Sequence, residues 1–151
     1  MVNYNKVVVF KLENEEFAVD IMQIGRILNY TRSSIVPHVP SYVEGVINYE
    51  DKIIPVINLK KRLGLEDNGT TDDAKIIVTK INENTIGLSV DYVEQVLSIN
   101  EEYIETPPDL IKRNDNNYVQ GIAKMDERII IILNLDKLFT SEEIIELKSL
   151  C

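Results

Sequence analysis

The hydrophobic residues of the chain fall into short β-branched runs that alternate with polar turn residues, a pattern typical of β-hairpins. Three pairs of runs are separated by only a few turn residues. The paired runs are residues 7–12 with 17–19, 42–48 with 52–57, and 76–81 with 86–90. Near-continuous apolar runs such as residues 53–57 indicate strands that are covered on both faces or rolled into a small barrel. The pattern therefore predicts a chain made mainly of β-strands.

The chain contains an internal duplication, which is the most informative feature of the sequence. Residues 42–61 align without gaps on residues 118–137, at a constant offset of 76 and with eight identities in twenty positions. Upstream, residues 6–29 align on residues 75–98 at an offset of 69, mostly in the pattern of apolar positions. Two halves of similar plan are therefore expected within one domain.

The boundaries of these halves follow from the repeat. We predict two lobes over residues 6–65 and 75–139, joined by the polar stretch at residues 66–73. The second half carries a loop of its own at residues 107–117. Pro55 has no amide hydrogen to donate to a ladder, so it predicts an edge or a bulge, whereas its counterpart Ile131 can pair normally.

Short helices complete the predicted fold. Asp20 is a candidate N-cap for a helical turn that leads into a strand over residues 21–28, and residues 90–97 repeat the spacing. Helical turns are expected at residues 58–63 and 134–139. Thr140 begins a capping-box sequence that predicts a C-terminal helix over about residues 141–149. Its inward-facing residues are predicted to be Ile144, Ile145 and Leu147.

Composition and charge narrow the class of protein. The 151 residues include 25 acidic and 16 basic side chains, for a net charge of -9, and 44% of residues are hydrophobic. A protein that binds along the phosphate backbone of a nucleic acid needs a stripe of basic residues, and this sequence has none. No apolar run approaches the ~18 residues that would span a bilayer. Cys151 is the single cysteine, so no disulfide framework is expected and a reducing compartment is indicated.

The residues available for catalysis are few. His38 is the single histidine and lies in a proline-flanked stretch, and acidic pairs such as Glu15-Glu16 and Glu101-Glu102 sit among polar residues. No phosphate-binding loop, dinucleotide fingerprint, zinc-protease motif or nucleophile elbow is present. The sequence predicts no enzyme, no metal site and no cofactor.

Several segments in order carry a family resemblance. The chain opens with Val-Val-Val-Phe-Lys-Leu at residues 7–12, followed by Glu-Phe-Ala-Val-Asp-Ile at residues 16–21. Tyr-Val-Glu-Gly-Val-Ile-Asn at residues 42–48 precedes Ile-Pro-Val-Ile-Asn-Leu at residues 54–59. The second half adds Ile-Gly-Leu-Ser-Val-Asp-Tyr-Val-Glu-Gln-Val-Leu at residues 86–97. From about residue 6 to residue 147 the sequence resembles the CheW family of chemotaxis adaptors.

The resemblance implies an all-β fold of two pseudo-repeated, five-stranded SH3-like β-barrels packed together, with short helices that include a C-terminal one. It also implies a non-enzymatic adaptor that couples transmembrane methyl-accepting chemoreceptors to the histidine kinase CheA. The expected partners are the CheW-like regulatory domain of that kinase and the cytoplasmic tip of the receptors. The protein is expected to be monomeric on its own, without direct membrane insertion. It is expected to be cytoplasmic and recruited to membrane-associated receptor arrays.

Residues can be carried over from the resemblance one at a time. Ile24 and Gly45 match positions in the kinase-facing part of the first half. Val93 and Val96 match apolar positions implicated in receptor binding, and Ile53 and Ile76 are assigned to the same region. From the residues alone, the two valines would instead be read as core, and Gly45 as a site of close backbone approach or a bulge.

Two positions depart from the family pattern. The family usually has an acid where this chain has Arg26, and a base where it has Glu50. Both positions lie in the region expected to face the kinase. Because the signs are exchanged at both, we predict that Arg26 and Glu50 form an ion pair.

Two alternative functions stay open on the sequence. The chain could serve as a CheW-like scaffold in a system other than chemotaxis. It could also be a small ligand-binding or hydrolytic barrel with acidic side chains around His38, which would require a pocket with converging polar groups.

Overall fold

A computed structural model describes residues 4–106 and 118–150. The loop predicted at residues 107–117 and Cys151 lie outside the described residues. Two antiparallel-rich β-sheets and a few short helices make up the described part, which confirms the prediction of a mainly β chain. Strands and helices are numbered in chain order.

The described strands fall into two groups by sheet. The six-stranded sheet contains β1 (Tyr4–Leu12), β2 (Glu15–Asp20), β8 (Tyr92–Asn100), β9 (Ile104–Glu105), β10 (Val119–Met125) and β11 (Arg128–Leu133). The five-stranded sheet contains β3 (Ile24–Asn29), β4 (Val43–Tyr49), β5 (Lys52–Asn58), β6 (Lys75–Ile81) and β7 (Asn84–Val90). The strand orders are β8-β1-β2-β11-β10-β9 and β3-β6-β7-β5-β4.

Each sheet combines strands from both halves of the duplication. The β1–β2 hairpin of the first half lies between β8 and β11 of the second, and the β6–β7 hairpin of the second half lies between β3 and β5 of the first. The β2–β11 and β5–β7 ladders are parallel, while the hairpin ladders are antiparallel. The two halves thus exchange their first hairpins reciprocally, and the pairing of strands does not follow the segments 6–65 and 75–139.

Equivalent details recur at equivalent residues of the two halves. A bulge interrupts the β4–β5 ladder next to Gly45, and another interrupts the β10–β11 ladder next to Gly121. The Asn58 amide donates to the Tyr42 carbonyl at 2.7 Å, and the Asn134 amide donates to the Tyr118 carbonyl at the same distance. The structure therefore confirms the duplication at the level of single hydrogen bonds.

Side-chain caps begin the short helices, at Asp20 as predicted and also at Asn58 and Asn134, where only helical turns were predicted. Asn58 caps α1 (Leu59–Arg62), and Asn134 caps the 3₁₀ turn Leu135–Lys137. Asp20 caps the 3₁₀ turn Ile21–Gln23, which leads directly into β3. The matching turn predicted near residue 90 is absent from the described residues there, because β8 begins at Tyr92 after a single bend.

The C-terminal helix α2 (Ser141–Lys148) begins with the predicted capping box, in which Thr140 and Glu143 bond reciprocally. Ile144 and Leu147 are buried, whereas Ile145 is 67% exposed, so its predicted inward position is wrong. Consecutive residues of an α-helix differ by about 100° around its axis, and Ile145 therefore points away from the core face shared by residues 144 and 147.

Pro55 does not mark an edge or a bulge. β5 is an interior strand with β4 on one side and β7 on the other, and Pro55 pairs in register with Val46. The parallel ladder to β7 begins only at Val56, whereas the equivalent β11–β2 ladder begins at Ile130, one residue before the counterpart of Pro55. The missing amide hydrogen thus shortens a ladder instead of placing the strand at an edge.

The main hydrophobic core joins the two sheets and both helices. Phe10 and Phe17 of the six-stranded sheet belong to the same buried cluster as Ile57 and Ile77 of the five-stranded sheet, together with Leu147 of α2. Because this cluster crosses between the sheets, their relative placement depends on the same apolar contacts that stabilise each sheet.

Candidate interaction surfaces

The predicted kinase-facing residues begin on strand β3, an edge of the five-stranded sheet. Ile24 is half-buried against the main core and pairs with Thr79, while Arg26 is exposed and pairs with Val78. Gly25 between them is the extra residue of a bulge. At this bulge Arg26 is available to a partner and Ile24 is available only in part.

Gly45 is buried, and its backbone φ is +155°. A β-carbon at this position would lie 2.1 Å from the Ser34 carbonyl oxygen. Ser34 and Val46 exchange two backbone hydrogen bonds of 2.9 Å each, and these bonds hold the segment before β4 against that strand. Gly45 is therefore required for close backbone approach, as the residues alone suggested. Its role in kinase binding stays a prediction.

Arg26 and Glu50 do not form the predicted ion pair. Glu50 lies in the β4–β5 turn with a φ of 49°, and both side chains are exposed. Neither forms an ion pair with any residue that the structure describes. Water screens exposed charges, so the sign at each position can change without a compensating change at the other.

The predicted receptor-facing residues divide by burial. Ile53 on β5 is 48% exposed and Val96 on β8 is 51% exposed. Val93 is half-buried against the main core, and Ile76 is fully buried inside the five-stranded sheet. Only Ile53 and Val96 present substantial apolar surface, and they lie on different sheets.

Beside Ile53, a groove of about 220 Å³ runs between the start of β5, the β6–β7 turn and α2. Ile54, Ile86 and Ile144 belong to its apolar lining. Lys52, Glu83 and Lys148 supply its charged rim, and all three are exposed. An apolar floor with charges at the rim is suited to holding a side chain from another protein.

A buried lysine, Lys60, forms ion pairs with acidic side chains from three separate segments of the fold. Lys60 of α1 is 4% exposed, and its Nζ lies 2.9 Å from Glu13, 3.1 Å from Asp67 and 2.9 Å from Asp91. Glu13 belongs to the β1–β2 turn, Asp67 to the linker between the halves, and Asp91 to the passage from β7 to β8. The Nζ also donates to the Gly69 carbonyl at 3.1 Å. This Lys60 cluster ties the six-stranded sheet, the linker and the five-stranded sheet together.

The pKa shifts in the Lys60 cluster show that hydrogen bonds and ion pairs stabilise the charged forms of its members. Burial lowers the pKa of Lys60, but the bonds to Asp91, Glu13 and Asp67 outweigh it and leave the pKa above its usual value. The hydrogen bond from Lys60 holds the pKa of Glu13 below its usual value. Burial acts to raise the pKa of Asp67, yet bonds from the Gly69 amide and from Lys60 leave it lowered. All three groups are charged at neutral pH.

A second polar cluster holds α2 in place. Arg62 donates to both carboxylate oxygens of Glu143 at 2.9 Å and to the Leu138 carbonyl at 2.7 and 3.0 Å. Its guanidinium carbon lies 5.0 Å from the ring centres of both Tyr42 and Phe139. Burial and the nearby Glu143 carboxylate raise the pKa of Tyr42 to about 12. Arg62 therefore joins the first half of the chain to its C-terminal helix.

A third charged group lies beside the predicted receptor-facing strand. Arg128 donates to Glu16 at 2.8 and 3.1 Å and lies 3.5 Å from Glu94 on β8. The hydrogen bond from Arg128 lowers the pKa of Glu16, whereas burial and the neighbouring Glu16 carboxylate raise the pKa of Glu94. Two carboxylates thus share one guanidinium between β2, β8 and β11.

Sequence reasoning missed these three clusters. Lys60 and Arg62 lie in a run of basic residues that is typical of a solvated helix face, and apart from Asp67 their acidic partners are far away in sequence. The available signal was the repeat itself, because Lys60 follows the capping Asn58 where the second half has Asp136. Lys60 and Asp136 carry opposite charges at equivalent positions, so the two halves have diverged there.

Three observations on the described residues concern catalysis, metal binding and membrane spans. His38 is exposed on a loop, and no described side chain forms a hydrogen bond or ion pair with it. Within residues 4–106 and 118–150, no group of three or more metal-ligating side chains is placed to hold an ion. The same part of the chain contains no helix long and apolar enough to cross a bilayer.

Comparison with known proteins identifies the family. A family model described as the CheW-like domain matches residues 6–143. The chain belongs to the CheW family. A "Probable chemotaxis protein CheW" of Rhizobium etli is 32% identical over 138 residues, covering 91% of this chain and 89% of the relative. The CheW of Thermotoga maritima is 35% identical over 138 residues, covering 88% and 86% of the two chains.

A solved CheW structure supports the fold. The crystal structure of the scaffolding protein TtCheW from Thermoanaerobacter tengcongensis matches with a TM-score of 0.83 and 40% sequence identity, covering 90% of this chain and 92% of that chain. CheW relatives are named as chemotaxis or scaffolding proteins and not as enzymes. The chain is therefore a chemotaxis scaffold of the CheW family.

Proposed function

We propose that this chain couples methyl-accepting chemoreceptors to a CheA-type histidine kinase, at receptor arrays on the cytoplasmic side of the membrane. The match of residues 6–143 to the CheW-like domain carries the proposal. A coupling protein needs a surface for each partner, and the predicted residues supply exposed side chains on both sheets. Arg26 on β3, Glu50 in the β4–β5 turn and Ile53 on β5 belong to the five-stranded sheet, whereas Val96 on β8 belongs to the six-stranded sheet.

On the kinase side, the proposed contact surface contains the β3 bulge with Ile24 and Arg26, and the β4–β5 turn with Glu50. The position that a β-carbon on Gly25 would take is 4.0 Å from the Tyr49 hydroxyl oxygen, so the side chain at the end of β4 reaches the bulge. Gly45 would act on this surface indirectly, by allowing the segment at Ser34 to lie against β4.

On the receptor side, Ile53 and Val96 would contact the helical hairpin directly. Val93 and Ile76 would support the surface from beneath, because the first is half-buried and the second is fully buried. Apolar side chains that remain about half exposed are suited to a helix that presents an apolar stripe.

We further propose that the single domain consists of two SH3-like barrels. In the five-stranded sheet, the bridge between Ser34 and Val46 brings the chain that follows β3 back to β4 at the opposite edge. In the six-stranded sheet, β8 at one edge leads through a 3₁₀ turn into β9 at the other edge. Both connections are those of a sheet that closes on itself.

Reconstitution of kinase signalling tests the coupling function. Receptor-containing membranes, the CheA-type kinase of the same cell and this protein are mixed, and kinase autophosphorylation is measured with each component left out in turn. We expect receptor-dependent control of the kinase only when this protein is present. If receptors control the kinase equally well without it, or if it binds neither partner, the proposed function is wrong.

A further inference from the structure

The duplication places the same pair of residue types at the start of β5 and of β11. Lys52 and Ile53 correspond to Arg128 and Ile129, at the offset of 76. Both isoleucines are exposed, at 48% and 57%. Each half of the molecule therefore carries a cation beside an exposed apolar side chain at an equivalent place.

In the second half the chain itself neutralises this cation. Arg128 is bonded to Glu16 and lies 3.5 Å from Glu94. The Glu16 side chain is 15% exposed and the Glu94 side chain 25% exposed, so the charges meet in a partly dehydrated environment. Internal ion pairs therefore occupy the start of β11.

In the first half the equivalent carboxylates are missing. The offset of 69 places Thr85 at the position of Glu16 and Gly25 at the position of Glu94. Lys52 is exposed, and its side chain forms no ion pair or hydrogen bond with any other residue in the described part of the chain. The start of β5 thus keeps the cation and the isoleucine but lacks both of its acidic partners.

The same end of β5 is open in shape. The ladder to β7 begins after Pro55, and the groove beside Ile53 lies there, with apolar side chains from β5, β7 and α2 in its lining. Two lysines, Lys52 and Lys148, and one acid, Glu83, stand at its rim. Two lysines against one acid make the rim net positive on a chain of net charge -9, and a positive rim favours a partner segment that carries carboxylates.

We infer that this groove binds an acidic amphipathic helix from a partner protein. The helix supplies a carboxylate to Lys52, in place of the two that Arg128 finds within its own chain, and an apolar side chain that packs on Ile53 in the groove. This inference rests on the proposed function, because that function provides a helical hairpin of a receptor as the partner. It adds the acidic requirement and the contribution of α2.

Binding of a receptor cytoplasmic fragment to charge-reversed variants tests the inference. Lys52→Glu is compared with Lys61→Glu, which makes the same charge change at an exposed lysine near the opposite end of β5. We expect Lys52→Glu to weaken binding about tenfold or more and Lys61→Glu to change it less than about twofold. Thermal unfolding of both variants should match that of the unchanged protein, because both lysines are exposed.

A charge swap identifies the partner group. Acidic residues on the receptor hairpin are changed to lysine one at a time, and one such change should restore binding to Lys52→Glu while weakening binding to the unchanged protein. Equal binding of the receptor fragment by Lys52→Glu and Lys61→Glu would overturn the inference. The inference would also be overturned if Lys52→Glu bound the receptor fragment normally and lost binding only to the regulatory domain of the kinase. If the unchanged protein binds neither the receptor fragment nor the kinase domain, the proposed function itself fails.

Discussion

Replacing Lys60 with methionine should destabilise the protein far more than the same replacement at its exposed neighbour Lys61. Methionine has a similar length, so the change removes the ammonium group while keeping most of the packing volume. The carboxylates of Glu13, Asp67 and Asp91 would then face one another without a cation, at side-chain exposures of only 23%, 21% and 12%. Breaking a buried ion pair by removing one partner costs about 3–5 kcal/mol. Because these carboxylates retain some contact with water, we expect a loss of about 3 kcal/mol at neutral pH.

The pH dependence of this loss has a defined sign. In the unchanged protein the pKa of Glu13 and of Asp67 is lowered, so their stabilising contribution is present above about pH 4, their unfolded range, and disappears as the pH falls below it. The pKa of Lys60 is raised, so its contribution is complete below about pH 10 and is lost at higher pH. In the variant, protonation of the facing carboxylates relieves their repulsion. The difference in stability between the two proteins should therefore be largest near pH 7 and shrink toward pH 4.

Urea unfolding at pH 7 and pH 4.5, followed by circular dichroism, measures this difference. Lys61→Met is the control, because Lys61 is the exposed neighbour of Lys60 on α1 and forms no ion pair with a described residue. We expect the control to change the free energy of unfolding by less than about 0.5 kcal/mol at both pH values. The reasoning is refuted if Lys60→Met and Lys61→Met lose the same stability at pH 7, or if the loss in Lys60→Met is the same at both pH values.

Three further substitutions test the interior and the exposed strand positions. Gly45→Ala should destabilise the protein by at least about 2 kcal/mol in urea unfolding, because the added carbon would lie 2.1 Å from the Ser34 oxygen. Gly64→Ala is its control, with open space around the added carbon and a cost of about 1 kcal/mol for its left-handed backbone; equal losses would contradict the close approach. Ile76→Ala should cost about 2–5 kcal/mol, and an unchanged urea midpoint would show that the side chain is not core. Val96→Glu should leave stability within about 0.5 kcal/mol yet weaken binding to a receptor fragment in calorimetry, and undiminished binding would remove Val96 from the proposed surface.

The local elements could be predicted because their signals lie within a few residues of one another. The capping box at Thr140, the N-cap at Asp20, the helical turns that begin near Asn58 and Asn134, and the hairpin turns all depend on contacts between near neighbours. Even there, helical geometry overrode composition at Ile145, which is exposed despite being apolar. The error came from treating an apolar pair as one face, when only every third or fourth residue shares it.

The sequence could not show which of the predicted site residues are exposed, because burial depends on the whole fold. Val93 and Val96 look alike in sequence, but a bulge in the β1–β8 ladder separates them, and Val93 packs on the core while Val96 faces outward. Arg26 and Glu50 were paired on charge alone, which does not report distance. Lys60 was overlooked because two of its three acidic partners, Glu13 and Asp91, are remote along the chain.

The sequence by itself determined that the chain is mainly β, that it is built from two related halves, and that helical structure begins after Asp20, Asn58, Asn134 and Thr140. Only the tertiary structure decided that the halves exchange their first hairpins, that Lys60 is enclosed by three carboxylates, and that Lys52 lacks the acidic partners that Arg128 has. The physical reason is the range of the interactions involved. Alternation and capping act between neighbouring residues and are visible in sequence, whereas strand partners and buried charges are selected by contacts that form only when the sheets come together.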